Sequence, residues 1–321
     1  MGLSNVTSEL MGTTLPRLID ETLRRHVIGD AQVVAISSEP IEPGLSGATV
    51  ARHSVTFDSQ GVRRTVSLVT KEASLIERRI LALLQEQGQP GIPFNHSLTL
   101  TEAVAPLCLE DLGDVRRPTS LDPISPELIR REASALAGIH HDNASIDPKE
   151  FSLPRVDSRY VREHLARLWE PAWQRAVDNV AFRGEFGDAI DAVEAATRQI
   201  PDAVEDLAAD GRDLTLLHGD LNPGNVLISG GSPYFVDWQA ACYGPFYLDL
   251  PHHLHTLTAA TAYLHARERL GDRIDPQDFA AKFRMAAHYI GLRYIWWTLD
   301  LWAEDPADAR WVRHYLDLIT L

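Results

Sequence analysis

Leu217-His218-Gly219-Asp220-Leu221-Asn222-Pro223-Gly224-Asn225-Val226-Leu227 is followed, after Ser229-Gly230-Gly231-Ser232, by Tyr234-Phe235-Val236-Asp237-Trp238. The apolar runs at 214–217, 226–229 and 234–236 predict three short buried strands, and the glycine pair predicts a hairpin turn between the last two. Between the strands lie a carboxylate, Asp220, and an amide five residues later, Asn225. A second carboxylate, Asp237, ends the third run. The hairpin is expected to return Asp237 beside Asn225.

Hard oxygen donors in this order point to phosphoryl transfer, a reaction run mainly by positioning and by neutralising phosphate charge with magnesium. Asn225 and Asp237 offer one neutral and one anionic oxygen, which suits Mg2+ that also keeps waters and phosphate oxygens. Asp220 is left to face an acceptor hydroxyl and take or orient its proton. Taken singly, Asp220 and Asn222 would serve an Asx turn and Asp237 a helix cap. The ordered set with a hairpin between favours the chemical reading.

Upstream, Val33–Ile36, Val50–Phe57 and Val62–Thr70 read as strands, with a turn at Asp58-Ser59-Gln60-Gly61. Between the first two lies Glu42-Pro43-Gly44-Leu45-Ser46-Gly47-Ala48-Thr49. Gly44 and Gly47 allow close backbone approach to phosphates, and Ser46 and Thr49 bring hydroxyl donors. Lys71 is placed at the end of the third strand and Glu77 at the start of a helix over residues 74–87. A lysine held by a carboxylate would neutralise the α- and β-phosphates of a nucleotide. Glu72 adjoins Lys71 and would point to the opposite strand face.

His218-Gly219-Asp220-Leu221, Asn225 and Asp237-Trp238, preceded by glycine turn, strand lysine and helix glutamate, closely resemble the signature of the aminoglycoside phosphotransferase and choline-kinase-like family of small-molecule kinases. Protein kinases differ here, carrying His-Arg-Asp and Asp-Phe-Gly with a long activation segment. The resemblance implies an α+β, bilobal protein-kinase-like fold. Its small N-terminal β-sheet lobe would span residues 1–112 and its larger, mainly helical lobe residues 113–321. It further implies ATP and Mg2+ as cofactors, and transfer of the γ-phosphate to a hydroxyl of an aminoglycoside-like or other natural product. A metabolite kinase for choline-like amines, sugars or sterol-like alcohols is the alternative, and a non-catalytic nucleotide-binding pseudokinase a third reading. Catalysis would fall to Asp220, metal binding to Asn225 and Asp237, and nucleotide binding to Lys71, Glu77, Ser46 and Gly47. The segment around Cys108-Leu109-Glu110-Asp111-Leu112 would offer adenine the backbone of Glu110 and Leu112. Asp249 also has a counterpart in the family, but helix N-capping is the preferred reading for it.

The remaining features set limits. A length of 321 residues with 45% apolar content allows substantial cores. Cys108 and Cys242 make no disulfide framework, and no signal-like segment is recognisable, so a cytoplasmic location is expected. A net charge of −15 argues against nucleic acid and anionic membrane as partners and permits a cationic small molecule. The oligomeric state is open.

Helices are expected at 16–26, from Ser125-Pro126-Glu127 onward, and at 158–173, 188–200, 254–270, 276–301 and 306–319. Phe283, Ala287, Ile290, Tyr294, Trp297 and Leu301 form a core stripe on one of them. His140 reads as a buttress. His252-His253-Leu254-His255 lacks metal-ligand spacing. All seven tryptophans follow residue 168, and most are expected in the core.

Overall fold

The computed structural model describes residues 15–24, 31–41, 49–96, 100, 104–118, 125–209 and 211–321. They belong to two compact units. The first takes residues up to Arg116 together with Leu227–Gly230 and Tyr234–Gln239, and the second takes Arg117–Val226, Gly231–Pro233 and Ala240–Leu321.

The first unit is built on an antiparallel sheet of β1 (Gln32–Ile41), β2 (Val50–Ser59), β3 (Val62–Ser74) and β4 (Val104–Glu110), in that order. Alternation along β2 turns Val55 and Phe57 inward. They join Leu68 and Cys108 against Ile19 and Leu23 of α1, the helix over residues 15–24, in one core. Burial pushes the Cys108 thiol up to about 11, as expected of a packing residue.

β3 runs further than its apolar stretch predicts. Pairing with β4 continues through Ser74↔Val104, so Lys71 lies inside the strand and not at its end. Ser74 then caps α2 (Leu75–Glu86), its hydroxyl accepting the Glu77 N–H at 3.2 Å. The far edge of β4 is covered by residues 94–96, through His96 N–H to the Cys108 carbonyl at 2.7 Å and Glu110 N–H to the Phe94 carbonyl at 2.9 Å.

The second unit is mainly helical. α3 (Pro126–Asp142) starts as its Ser-Pro-Glu sequence predicts, with the Ser125 hydroxyl accepting the Leu128 N–H at 3.2 Å. The helix expected at 158–173 is broken into α4 (Ser158–His164), a wider π turn over Leu165–Trp169, and α5 (Glu170–Asp178). Pro171 has no N–H to return to the preceding turn, and the Glu170 N–H reaches back to the Leu165 carbonyl. α6 (Val180–Ala208) outruns its predicted 188–200 at both ends. Gly184, Gly187 and Pro201 oppose it locally, but buried Phe182, Phe186, Val204 and Leu207 continue its apolar side and tertiary packing prevails.

Among the short strands, β5 (Leu214–Leu217) pairs with β8 (Cys242–Pro245). β6 (Val226–Ser229) and β7 (Ser232–Phe235) form the expected hairpin. Gly230 and Gly231 have φ of +56° and +79°, the left-handed pair a two-residue hairpin requires. α7 (Leu257–Arg269), α8 (Pro276–Glu304) and α9 (Arg310–Ile319) complete the unit. Phe283, Ala287 and Ile290 of the predicted α8 stripe are buried, whereas Leu301 is 47% exposed. Among the described residues no helix is long and apolar enough to cross a membrane.

Burial lowers His164 and His314 from 6.5 to about 4, and it also lowers His140 and His252. The unfolded chain takes up these protons near pH 6.5 while the folded chain resists until lower pH, so protonation favours unfolding. The urea midpoint is therefore expected to fall steadily between pH 7 and pH 4. A midpoint that stays level through that window would show that these rings are solvated.

Candidate active site

In the first unit, β3 and α2 bring two charges together from six residues apart. Lys71 Nζ lies 3.0 Å from Glu77 Oε1 and 2.5 Å from Asp237 Oδ1. The Glu77 side chain is 2% exposed and that of Lys71 12%. Burial by itself would lower Lys71, but the two carboxylates outweigh it and hold the ammonium above its ordinary pKa. Lys71 is therefore a fixed cation at neutral pH.

Asp237 reaches this position through an unusual backbone. Its φ is +68°, a region costly for a residue with a Cβ, and one where such strain collects at functional sites. The neighbouring Trp238 is fully buried and donates its indole N–H to the Phe235 carbonyl at 3.1 Å, which fixes the turn. The Phe235 N–H in turn meets the Gly91 carbonyl at 2.8 Å.

Glu110 and Leu112 lie where β4 ends. The Leu112 carbonyl accepts the Ser229 hydroxyl at 2.7 Å, and Asp111 between them accepts from Ser67 Oγ at 2.6 Å and Gly113 N–H at 3.1 Å. These bonds give the segment a defined backbone path. Ser46 and Gly47 lie outside the described residues.

In the second unit, Asp220 follows β5 on a tight loop. Gly219 has φ of +76°, and a Cβ there would stand 2.2 Å from the Ala240 carbonyl oxygen, so only glycine fits. The Asp220 carboxylate is partly exposed and gathers three donors. Tyr294 Oη lies 2.9 Å and Asn222 Nδ2 3.2 Å from Oδ1, and Asn225 Nδ2 lies 3.3 Å from Oδ2. Asn225 Nδ2 also donates to the Asp220 carbonyl at 2.8 Å. With its amide hydrogens so directed, its side-chain carbonyl oxygen remains as a hard donor.

Asp249 corrects one sequence reading. It is not a helix N-cap, since α7 starts at Leu257 and is capped by Thr256. It ends a 3-10 turn over Phe246–Asp249 and is 2% exposed. Its carboxylate accepts the His218 N–H at 2.6 Å, the Gly219 N–H at 2.9 Å and a contact from His140 Nε2 at 3.2 Å. Burial would raise it, but the His140 and backbone donors outweigh burial and keep it below the usual carboxylate value. His140, fully buried and also 2.8 Å from Tyr263 Oη, is the buttress it was expected to be.

Tyr294 and Asn222 were read as a core residue and a turn residue. Both touch the carboxylate. For Asn222 the Asn-Pro-Gly turn was the available signal, and its side chain does accept the Gly224 N–H at 2.8 Å. For Tyr294 the signal was a hydroxyl on a stripe of carbon side chains. Burial, then the Asp220 charge, pushes this phenol well above its ordinary pKa, so it is a donor at neutral pH. The histidine run packs against its own partners: His253 meets Glu132 at 2.7 Å and His252 meets Tyr315 Oη at 3.1 Å.

The profile of the phosphotransferase enzyme family matches residues 38–311. No match was found among curated protein sequences. Several solved structures share the architecture. Choline kinase from Cryptosporidium parvum Iowa II is 11% identical, with a TM-score of 0.60 over 95% of this chain and 93% of that one. Spectinomycin phosphotransferase in complex with ADP and spectinomycin is 15% identical, with a TM-score of 0.54 over 95% and 93%. Choline kinase LicA from Streptococcus pneumoniae is 14% identical, with a TM-score of 0.52 over 96% and 98%. At such identities the likeness is one of fold, a four-stranded antiparallel sheet followed by a larger helical part. Because the family match runs from β1 into α9, through every motif described above, the chain belongs to the phosphotransferase enzyme family.

Proposed function

We propose that the protein transfers the γ-phosphate of ATP to a hydroxyl group of a small molecule. What most supports this reading is Lys71, a cation held between Glu77 and Asp237 at 3.0 and 2.5 Å. Such an arrangement suits the α- and β-phosphates of a nucleotide, with Glu77 fixing the lysine. The backbone of Glu110 and Leu112 would meet adenine, and Ser46 and Gly47 the phosphates.

Magnesium favours hard oxygen donors, and each of the two residues proposed to hold it keeps one: Lys71 contacts Asp237 Oδ1 and leaves Oδ2, and the amide hydrogens of Asn225 point to Asp220 and leave its Oδ1. When bound, the ion neutralises phosphate charge. In the reaction the acceptor oxygen forms a bond to the γ-phosphorus as the bond to the β–γ bridging oxygen breaks. ADP departs, and the hydroxyl proton passes to the Asp220 carboxylate.

For the acceptor we propose an amine-bearing natural product of the aminoglycoside kind. The net charge of −15 attracts cations. A choline-like amine is the second reading, favoured by rings on α8 and α9: Trp297 lies 5.7 Å from Trp311 and 6.1 Å from Tyr315, an aromatic grouping that suits cation–π contact.

The test is ADP release by purified protein given Mg-ATP and pools of aminoglycosides, cyclic-peptide antibiotics, choline-like amines or sugars. Stimulation by an amine pool is expected, and EDTA should abolish it. Lys71→Ala should raise KM for Mg-ATP at least tenfold, the worth of about 1.4 kcal/mol. Failure to bind Mg-ATP would overturn the proposal, and binding without turnover in any pool would favour a non-catalytic nucleotide-binding role.

A further inference from the structure

The three donors on Asp220 are shared unequally. Among the described residues, Oδ1 receives the Tyr294 hydroxyl at 2.9 Å and Asn222 Nδ2 at 3.2 Å, whereas Oδ2 receives only Asn225 Nδ2 at 3.3 Å. An ionised carboxylate oxygen offers about two acceptor sites. Both are taken on Oδ1, and one stays open on Oδ2. The Tyr294 hydroxyl is also 3.2 Å from the Gly219 carbonyl. It has a single proton, and the nearer, charged oxygen is the stronger acceptor.

Tyr294 is itself held in place. Its ring lies 4.1 Å from that of His252 and 6.4 Å from that of Tyr315, and the Arg293 guanidinium sits 5.4 Å above it. Asn222 is locked by the Gly224 N–H. One donor therefore comes from the loop that carries Asp220, and the other from α8, 74 residues further along the chain. The terminal torsion of an aspartate is broad and two-fold, so its two oxygens exchange unless something distinguishes them.

We infer that Tyr294 is a positioning residue which, with Asn222, occupies Asp220 Oδ1 and leaves Oδ2 as the oxygen that meets the acceptor hydroxyl. This rests on the reading of Asp220 given above. Tyr294 touches neither acceptor nor nucleotide in this account. Its effect passes through the carboxylate, so it bears on turnover and leaves nucleotide affinity alone.

The experiment needs no identified acceptor: water is the hydroxyl compound offered, and slow release of ADP from Mg-ATP is the rate to be followed. Tyr294→Phe keeps the ring and removes the hydroxyl. It is expected to lower kcat about tenfold, within the range misorientation of a catalytic group produces, with KM for Mg-ATP unchanged. Tyr243→Phe removes a hydroxyl that meets the Ala144 carbonyl at 3.5 Å and should leave both constants as they were. In an Asp220→Asn background, Tyr294→Phe should cost nothing further, since a residue acting through Asp220 cannot be lost twice.

An undiminished kcat in Tyr294→Phe, or a full additional loss in the double variant, would overturn the inference while leaving the reading of Asp220 intact. A wild-type rate in Asp220→Asn alone would remove that reading and the inference with it. A readout independent of turnover comes from protein labelled with ¹³C at tyrosine Cζ. The Tyr294 resonance, assigned by its absence in Tyr294→Phe, should move in Asp220→Asn, and an unmoved resonance would rule out the bond.

Discussion

Asp220→Asn is expected to lower acceptor-stimulated ADP release by about 10²–10⁴-fold, the usual worth of a positioned acid–base group. The substitution keeps the size of the side chain and leaves Oδ1 able to accept from Tyr294. What it removes is the charge and the open acceptor site on the other oxygen, which becomes an amide nitrogen facing Asn225 Nδ2, 3.3 Å away in the native chain. Affinity for Mg-ATP should change little, because Lys71, Glu77 and Asp237 make their contacts without Asp220. The measurement is initial rate against Mg-ATP concentration at saturating acceptor. A loss smaller than tenfold would mean that the proton leaves by another group.

Asp249→Ala is expected to have the largest effect on stability, about 3–5 kcal/mol, the range found when one partner of a buried charged network is removed. The carboxylate is 2% exposed and takes the N–H groups of His218 and Gly219 at 2.6 and 2.9 Å. Without it those two buried donors and His140 lose their acceptor in a space too small for ordinary solvation. Urea unfolding followed by circular dichroism would register the change as a lower midpoint. Because the same bonds hold the backbone immediately before Asp220, turnover should fall with it. Asp249→Asn should be milder, since its single carbonyl oxygen can still accept one of the two N–H groups. An unfolding free energy within about 1 kcal/mol of wild type for Asp249→Ala, taken from the midpoint and the denaturant slope, would show that the loop is held by other contacts.

Asp249 also shows where reading from sequence stops. Its role depends on β8 pairing with β5 so that residues 30 and 31 positions apart meet, and nothing local announces which carboxylate will accept which backbone groups. A capping role was the reasonable local expectation and the long-range pairing replaced it. Tyr294 failed to declare itself for a related reason. On a helix with 3.6 residues per turn it shares a face with Phe283, Ala287 and Ile290, and periodicity reports the face without saying where the hydroxyl ends. In α6 the opposite occurred: Gly184, Gly187 and Pro201 argued for a shorter helix, and burial of both ends overrode them.

Other features needed no long-range information. Gly230-Gly231 declares the hairpin because two successive left-handed residues are cheap only for glycine, and Gly219 marks a point where the loop before Asp220 passes against a carbonyl. Ser74 and Ser125 cap α2 and α3 because a hydroxyl three residues before an N–H is a local geometric match. The sequence alone thus determined β1 to β3, the β6–β7 hairpin and most helices in their order, the loop that carries Asp220, Asn222 and Asn225, and the family to which such an order belongs, since each follows from residues adjacent along the chain. Only the tertiary structure decided that Asp249 and His140 anchor that loop, that Tyr294 reaches Asp220 Oδ1, and that Lys71 stands between Glu77 and Asp237. Those contacts join residues 6 to 166 positions apart, and hydrogen bonding across such separations is set by packing that no local pattern encodes.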